Sequence, residues 1–355
     1  MMHFEVLDGD TVEGQRVWTE LWLRWPKREI MAHVEYARLF ARPGERTVCA
    51  VGSDAGGTVF LPLILRPIAA EQWARAGECR WDATNPYGYG GPFAWGPGPR
   101  DEAAFWRLHS EWCSKEKIVS TFLRLSLFPE QLACLPQDAS CDRLNVVRKL
   151  APGLDAIWKE YDRNVRNNVR CAERARVAME VDRTGARLDA FLSVYGETMT
   201  RRDADPWYRF PPEFFTAIVE RLRGHFAFFH ALSGGEVVSS ELVLCSEEHI
   251  YAFLGGTLAR AFSLRPNDLL RHGVVTWAIA EGKKAYVLGG GHEPDDGILR
   301  HKRSFAPRGE VPFKVARIVH DQSACDELTE NRKAAAGRGG HSWAPRPGFF
   351  PPYRG

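Results

Sequence analysis

The chain has 355 residues, a length that suits two domains better than one. Its 45% apolar and 26% charged residues are those of a folded globule, which excludes a fibrous or wholly disordered chain. The net charge of +2 gives no global field demanding DNA or RNA, so any nucleic-acid contact has to come from a local patch.

Eight cysteines are present, with no C-x-x-C pair and none at zinc-ligand spacing from a histidine. The expectation is reduced thiols in a cytoplasmic protein, with no metal. The start "MMHFEVLDGD" has no basic stretch before an apolar core, so no signal peptide is expected. No apolar run approaches the roughly 20 residues of a transmembrane helix.

In chain order, "VWTELWLRW" and "MAHVEYARLFA" carry apolar residues at helical spacing. "RTVCAVG" and "TVFLPLILRPI" are strands flanking the turn "SDAGG", and "RWDATNPYGYGGP" holds a third strand with a glycine-rich end. "EAAFWRLHSEWCSKEK" predicts a helix, "IVSTFLRLSLF" a strand, and "RLNVVRKLA" a further strand before a boundary near Ala151. A basic helix is expected from Trp158 to Arg176. "RLDAFLSVYGETMTRR" and "PPEFFTAIVERLRG" are helical, and a hairpin turning at Ser233-Gly234-Gly235 precedes a strand that ends at Gly255-Gly256. "PNDLLRHGVVTWAIAEG" is a helix with Asn267 or Asp268 as N-cap, and "KAYVLGG" closes the unit. The order helix–helix–hairpin–strand–helix–strand thus occurs twice. The expected fold class is α+β, with a mixed sheet in each half: residues 1–150, 151–325, and a flexible Gly/Pro/Arg-rich tail over 326–355.

"YVLGGGHEPDDGILRHKRSF" breaks a strand at Gly289, Gly290 and Gly291, turns through Pro294, Asp295, Asp296 and Gly297, and leaves as a basic run. Such glycines let another chain or a ligand approach the backbone. The reading is that they form the floor of a site, with Lys302 handed to its rim. Asp295 and Asp296 either brace the turn or accept a proton. In the basic helix, Arg163, Arg166, Arg170 and Arg174 fall on one face: a solvated face, or a contact for an anionic ligand. "TNPYGYGGPFAW" is either a rigid turn packing its tyrosines or an aromatic-lined wall. The sequence has no G-x-S-x-G elbow, no G-x-x-x-x-G-K-[S/T] loop and no H-E-x-x-H.

Five stretches carry a resemblance: "NPYGYGGP", "NVRNNVRCAERARVAMEV", "ETMTRR", "LGGT" with "LRPNDLL", and "LGGG" with "DDGILRHKRSF". Their order and spacing over about residues 5–320 resemble FemAB-like proteins, which pair two GNAT acyltransferase units and are also catalogued as BioF2-like acetyltransferase domains. The resemblance implies two tandem GNAT-like units, each a mixed sheet flanked by helices. It implies transfer of an activated acyl or aminoacyl group onto an amine without a metal or organic cofactor. Aminoacyl-tRNA or acyl-CoA would be the co-substrate. The acceptor and partners of the characterised relatives, a nucleotide- or lipid-linked peptidoglycan precursor and tRNA, carry over as expectations. It also implies Asn85, Tyr87 and Tyr89 as an acceptor wall, with Arg163, Arg166, Arg170, Gly255, Gly256, Asn267 and the Gly289–Gly291 floor binding substrate. Lys302 in "HKRSF" is similar to the F-K-x-x-F element of Fem-type second domains, with His301 replacing the first aromatic. Lys302 would stabilise an oxyanion, with Asp296 beside it.

Two alternatives stay open: an acetyl-CoA-dependent GNAT N-acyltransferase, and a non-catalytic module that binds a glycan or nucleotide. The loops where a CoA cradle needs backbone donors carry Pro97 and Pro99 in one half and Pro266 in the other, which argues against CoA.

Overall fold

The computed structural model describes Met1 to Gly355 except His292 and Pro294, so that part of the expected turn lies outside the described residues. The chain forms two compact units. The first gathers Met1–Trp25, Met31–Asp142 and Phe313–Gly355; the second gathers Pro26–Ile30 and Arg143–Pro312.

The first unit opens with β1 (His3–Asp8), α1 (Val12–Arg24), α2 (Val34–Phe40), β2 (Arg46–Asp54) and β3 (Gly57–Pro67). It continues with β4 (Trp81–Thr84), β5 (Phe93–Trp95), α3 (Glu102–Lys115) and β6 (Ile118–Arg124). The second unit holds β7 (Ser140–Lys149, from Arg143 on), α4 (Leu154–Glu160), α5 (Arg163–Arg174), β8 (Ala178–Asp182), α6 (Leu188–Arg201) and α7 (Pro212–Arg221). Then come β9 (Phe226–Ser233), β10 (Glu236–Cys245), β11 (His249–Thr257), α8 (Pro266–Ala280), β12 (Ala285–Gly290) and α9 (Gly297–Phe305). β13 (Glu310–Val319) and α10 (Gln322–Arg338) follow, and from Phe313 the chain again belongs to the first unit.

Both sheets follow one plan. In the first unit the strand order is β1-β2-β3-β4-β6-β13; β4 and β6 run parallel, and the other neighbours are antiparallel. In the second it is β8-β9-β10-β11-β12-β7, with β11 and β12 as the parallel pair. A parallel pair cannot be closed by a tight hairpin, and in each unit a helix, α3 or α8, makes the crossover. The repeat read in the sequence is this topology.

The sixth strand of each sheet explains where the expected boundaries differ. β7 pairs with β12 and belongs mostly to the second unit, while β13 pairs with β6 in the first. Sequence order does not reveal which sheet accepts a flanking strand. The expected flexible tail differs too. Asp321 caps α10 by accepting from the Ala324 amide at 2.9 Å, and Cys325 and Leu328 are buried. Tyr353 is 0% exposed, with its hydroxyl 2.9 Å from that of Ser120. The composition is poor in apolar residues, but a few anchors suffice when each is fully buried.

The long basic helix is two helices. Tyr161, buried in the core, takes an extended conformation and ends α4, and Arg166 donates to the Lys159 carbonyl at 3.2 Å and to that of Tyr161. α5 ends at Arg174, two residues short of the expected Arg176, and strand β8 follows from Ala178. Val165, Val169 and Ala172 bury one stripe of α5 against Phe229, Leu270 and Val274, while Arg163, Arg170 and Arg174 are exposed. The β9–β10 turn is as expected: Ser233 pairs with Glu236, and both Gly234 (φ +60) and Gly235 (φ +86) take the left-handed conformation of a two-residue hairpin.

Candidate functional site

A cleft of about 520 Å³ opens in the second unit, lined by Arg202, Asn267, Arg271, Asp296, Gly297, Ile298, His301 and Lys302. Three elements supply it: the end of α6, the first turns of α8, and α9.

α9 is the central element. Asp296 is its N-cap: its Oδ1 accepts from the Leu299 amide at 2.7 Å and its Oδ2 from the Glu293 amide at 3.2 Å. Of the two roles open for this carboxylate, the structure supports the brace; its oxygens are engaged with backbone. Starting the helix there buries Leu299 and Phe305 and turns Gly297, Ile298, His301 and Lys302 towards the cleft. These positions form one helical face.

The glycine strand end meets this helix. Gly289 (φ +82) lies at a bulge of β12 opposite β7. A Cβ on Gly290 would stand 2.3 Å from Asn145 Oδ1, and one on Gly291 2.6 Å from Asp296 Oδ1. Here glycine is demanded by the protein's own side chains, and the Gly290 carbonyl accepts from Lys302 Nζ at 2.6 Å. The expected floor is therefore a seat for Lys302; the three glycines are not among the residues lining the cleft.

Lys302 is half-buried, and its ammonium is pulled down to about 7, first by burial and then by the Arg271 guanidinium; Glu241 and Asp296 oppose the shift. Burial, then Arg271 and Lys302, lower His301 to about 3, so it is neutral at pH 7. Asn267 Nδ2 donates to His301 Nε2 at 3.1 Å, which leaves Nδ1 to carry the ring proton. Asn267 is not the N-cap of α8. Arg265 holds that place in the left-handed conformation (φ +56) without a side-chain cap, and Pro266 opens the helix.

Lys302, Asp296 and Asn267 are the expected site residues that the fold brings together. Gly255 and Gly256 are explained by packing: a Cβ would fall 2.5 Å from the Ser240 carbonyl oxygen and 2.2 Å from Thr198 Oγ1, respectively. Arg163, Arg166 and Arg170 stay outside the cleft, Arg166 on backbone carbonyls and Arg170 with its guanidinium 5.5 Å from the Trp158 ring. Asn85, Tyr87 and Tyr89 belong to the first unit. Asn85 is 1% exposed and bridges the Arg124 backbone, accepting from its amide at 3.0 Å and donating to its carbonyl at 2.7 Å. The Tyr87 carbonyl accepts from the Tyr36 hydroxyl at 2.7 Å, and the Tyr89 ring packs edge-on against Phe313. Asn85 thus ties this block to its own sheet, while Tyr87 and Tyr89 are half-buried.

Sequence reasoning missed Arg271, and the available signal was its spacing four residues after Asn267 on α8. Arg202, at the end of the quoted "ETMTRR", was also passed over as a cleft residue.

A second cluster lies in the first unit. His109, Cys113 and His320 bring possible ligand atoms within 4.8 Å of one another, and the first two are four apart on α3, a spacing the cysteine reading overlooked. Burial lowers His109 to about 3 and His320 to about 4, and raises the Cys113 thiol. The His109 ring stacks on Phe105, and His320 Nε2 is 2.9 Å from Thr121 Oγ1. His109 and Cys113 are buried and His320 is half-buried.

Among the described residues, no helix is long and apolar enough to cross a membrane. Residues 159–303 match the model of an acetyltransferase (GNAT) domain. No curated protein matches the chain. Among solved structures, FemX shares 11% identity at a TM-score of 0.62, over 86% of this chain and 94% of its own. A conserved protein of unknown function from Bacteroides thetaiotaomicron shares 11% identity at 0.55, over 90% and 100% of the two chains. The C-terminal domain (DUF2156) of a putative lysylphosphatidylglycerol synthetase from Agrobacterium fabrum shares 12% at 0.54, over 91% and 96%. By fold the chain is a pair of GNAT-like units similar in architecture to FemX, and residues 159–303, in its second unit, carry the acetyltransferase (GNAT) domain.

Proposed function

We propose that this protein transfers an activated acyl or aminoacyl group onto an amine, with Lys302 as the proton carrier of the reaction. The observation that carries the reading is a lysine with a near-neutral pKa seated in the cleft of the GNAT domain. An amine attacking an acyl ester or thioester forms a C–N bond, breaks the C–O or C–S bond, and must lose a proton that the leaving oxygen or sulfur gains. Neutral Lys302 takes that proton from the attacking nitrogen. As an ammonium it offsets the negative charge of the carbonyl oxygen and then protonates the leaving group, so one residue serves both steps. Asp296 acts by fixing α9.

The donor reading favours aminoacyl-tRNA over acyl-CoA. The segment between β11 and α8 is the 3-10 turn Ala259–Leu264 followed by Pro266, where a pyrophosphate cradle needs free backbone amides. The Fem-type resemblance suggests a peptidoglycan-precursor amine as acceptor. The test incubates the protein with charged tRNA and acyl-CoA in parallel, with nucleotide-linked precursor and small amines as acceptors, followed by mass spectrometry. A product that forms with wild type and is lost in Lys302→Ala supports the reading; no product from either donor, or one indifferent to Lys302, refutes it.

A further inference from the structure

We infer that the substrate of this cleft carries an oxyanion, a carboxylate or a phosphate, and that Arg271 binds it. The inference deepens the transferase reading, resting on it only in taking the cleft as the substrate site.

Arg271 is 9% exposed and yet lines the cleft. Among the described residues its Nε and Nη1 atoms have no hydrogen-bond partner. Its nearest carboxylate oxygen, Glu241 Oε2, is 3.7 Å from Nη2, beyond good hydrogen-bond length, and Glu241 already accepts from the Tyr286 hydroxyl. The guanidinium carbon lies 5.6 Å from the centroid of the Phe305 ring, which holds the group without satisfying its donors. Glu241 offsets its charge, yet two of its donors stay unmade, and a buried guanidinium with unmade hydrogen bonds costs folding free energy.

Arg202, Arg271 and Lys302 line the cleft, His301 is neutral, and the carboxylate lining it, Asp296, caps α9; behind the cleft, buried Glu241 and Asp268 offset part of the Arg271 charge. The planar fork of an arginine matches a carboxylate or phosphate in two-point contact. Asn267, four residues earlier on the same helix, adds a polar group beside it. An anion seated there answers the open donors and places its bearer next to Lys302.

The test uses the full chain and reads ligand-dependent melting-temperature shifts, converted to apparent Kd. The probes are inorganic phosphate, L-alanine and L-alaninamide. A shift with phosphate alone assigns a phosphate; one with alanine but not its amide assigns a carboxylate. In either case R271Q should abolish the shift, and R271K, which keeps the charge and loses the fork, should weaken binding at least about tenfold. If R271Q does not fold, R271K decides. The inference is overturned if neither anion shifts wild type, if alanine and its amide act alike while phosphate is silent, or if the shift survives in R271K undiminished. Turnover without Arg271-dependent anion binding sinks only this inference; anion binding without turnover on any donor sinks only the transferase reading.

Discussion

Two arginines, half-buried Arg354 in the first unit and buried Arg271 in the second, are treated differently. In the first, Arg354 donates through Nε to Asp82 at 2.5 Å and through Nη1 to Glu71, and its Nη2 lies 3.4 Å from the Pro67 carbonyl. Asp82, 0% exposed, is shared with Arg66. In the second, Arg271 forms a looser ion pair with Glu241 at 3.7 Å, and among the described residues two of its nitrogens have no hydrogen-bond partner. The glycine-rich strand ends contrast in the same way. In the first unit they let Asn85 close the backbone of Arg124, and in the second they seat a lysine whose pKa is drawn down to about 7. One topology thus serves closure in one unit and leaves chemistry open in the other. For Arg354 and Arg271 the difference lies in whether the guanidinium donors are satisfied, since an unsatisfied buried donor costs stability.

This contrast can be broken by mutation. Tyr353→Ala should be the largest single loss of stability, about 3–5 kcal/mol for a fully buried aromatic side chain, read by denaturant unfolding. A loss below about 1 kcal/mol would mean that the C-terminal segment does not help close the first unit. Lys302→Ala should do the reverse: it should keep the fold and lower kcat about a hundredfold to a thousandfold, about 2.7–4 kcal/mol, with little change in KM. Lys302→Arg should recover only part of that rate, because a guanidinium stays protonated and cannot take up the proton.

The pH dependence sharpens the same point. Between about 7 and 10.5, the unfolded chain holds the Lys302 proton and the folded chain does not, so stability from this group rises with pH across that window. Below about 7 the destabilisation is fully present. Lys302→Met should therefore raise the melting temperature more at pH 6.5 than at pH 10, and an equal change at both would show that the lysine carries an ordinary pKa. In wild type, the rate of the proton-accepting step should rise with pH through about 7.

Asp296→Ala should cost about 1 kcal/mol of stability through loss of the α9 cap, together with a moderate fall in kcat, while Asp296→Asn, which still caps, keeps most of both. If the asparagine variant instead loses activity as Lys302→Ala does, the carboxylate takes part in proton transfer after all. The smallest effect is expected for Arg163→Glu with Arg170→Glu, within about 0.5 kcal/mol of wild-type stability and with unchanged small-anion binding, because both arginines are exposed and outside the cleft.

The amino-acid sequence by itself determined the repeated order of helices and strands, because apolar periodicity and glycine punctuation are local signals. The same local signals found the Gly234-Gly235 hairpin, but they read Asp296 as part of a turn and not as the cap of α9, and the lysine of "HKRSF" was singled out by the family resemblance. Tertiary structure alone decided which sheet took β7 and which took β13, since strand pairing joins residues far apart in the chain. It decided that Asn85, Gly255 and Gly256 meet the protein's own backbone and side chains, that the segment around Tyr353 is folded, and that Arg271 faces the cleft. Each of these depends on whether a polar or apolar group finds a partner from another element, and that balance of burial against satisfaction exists only once the chain has folded.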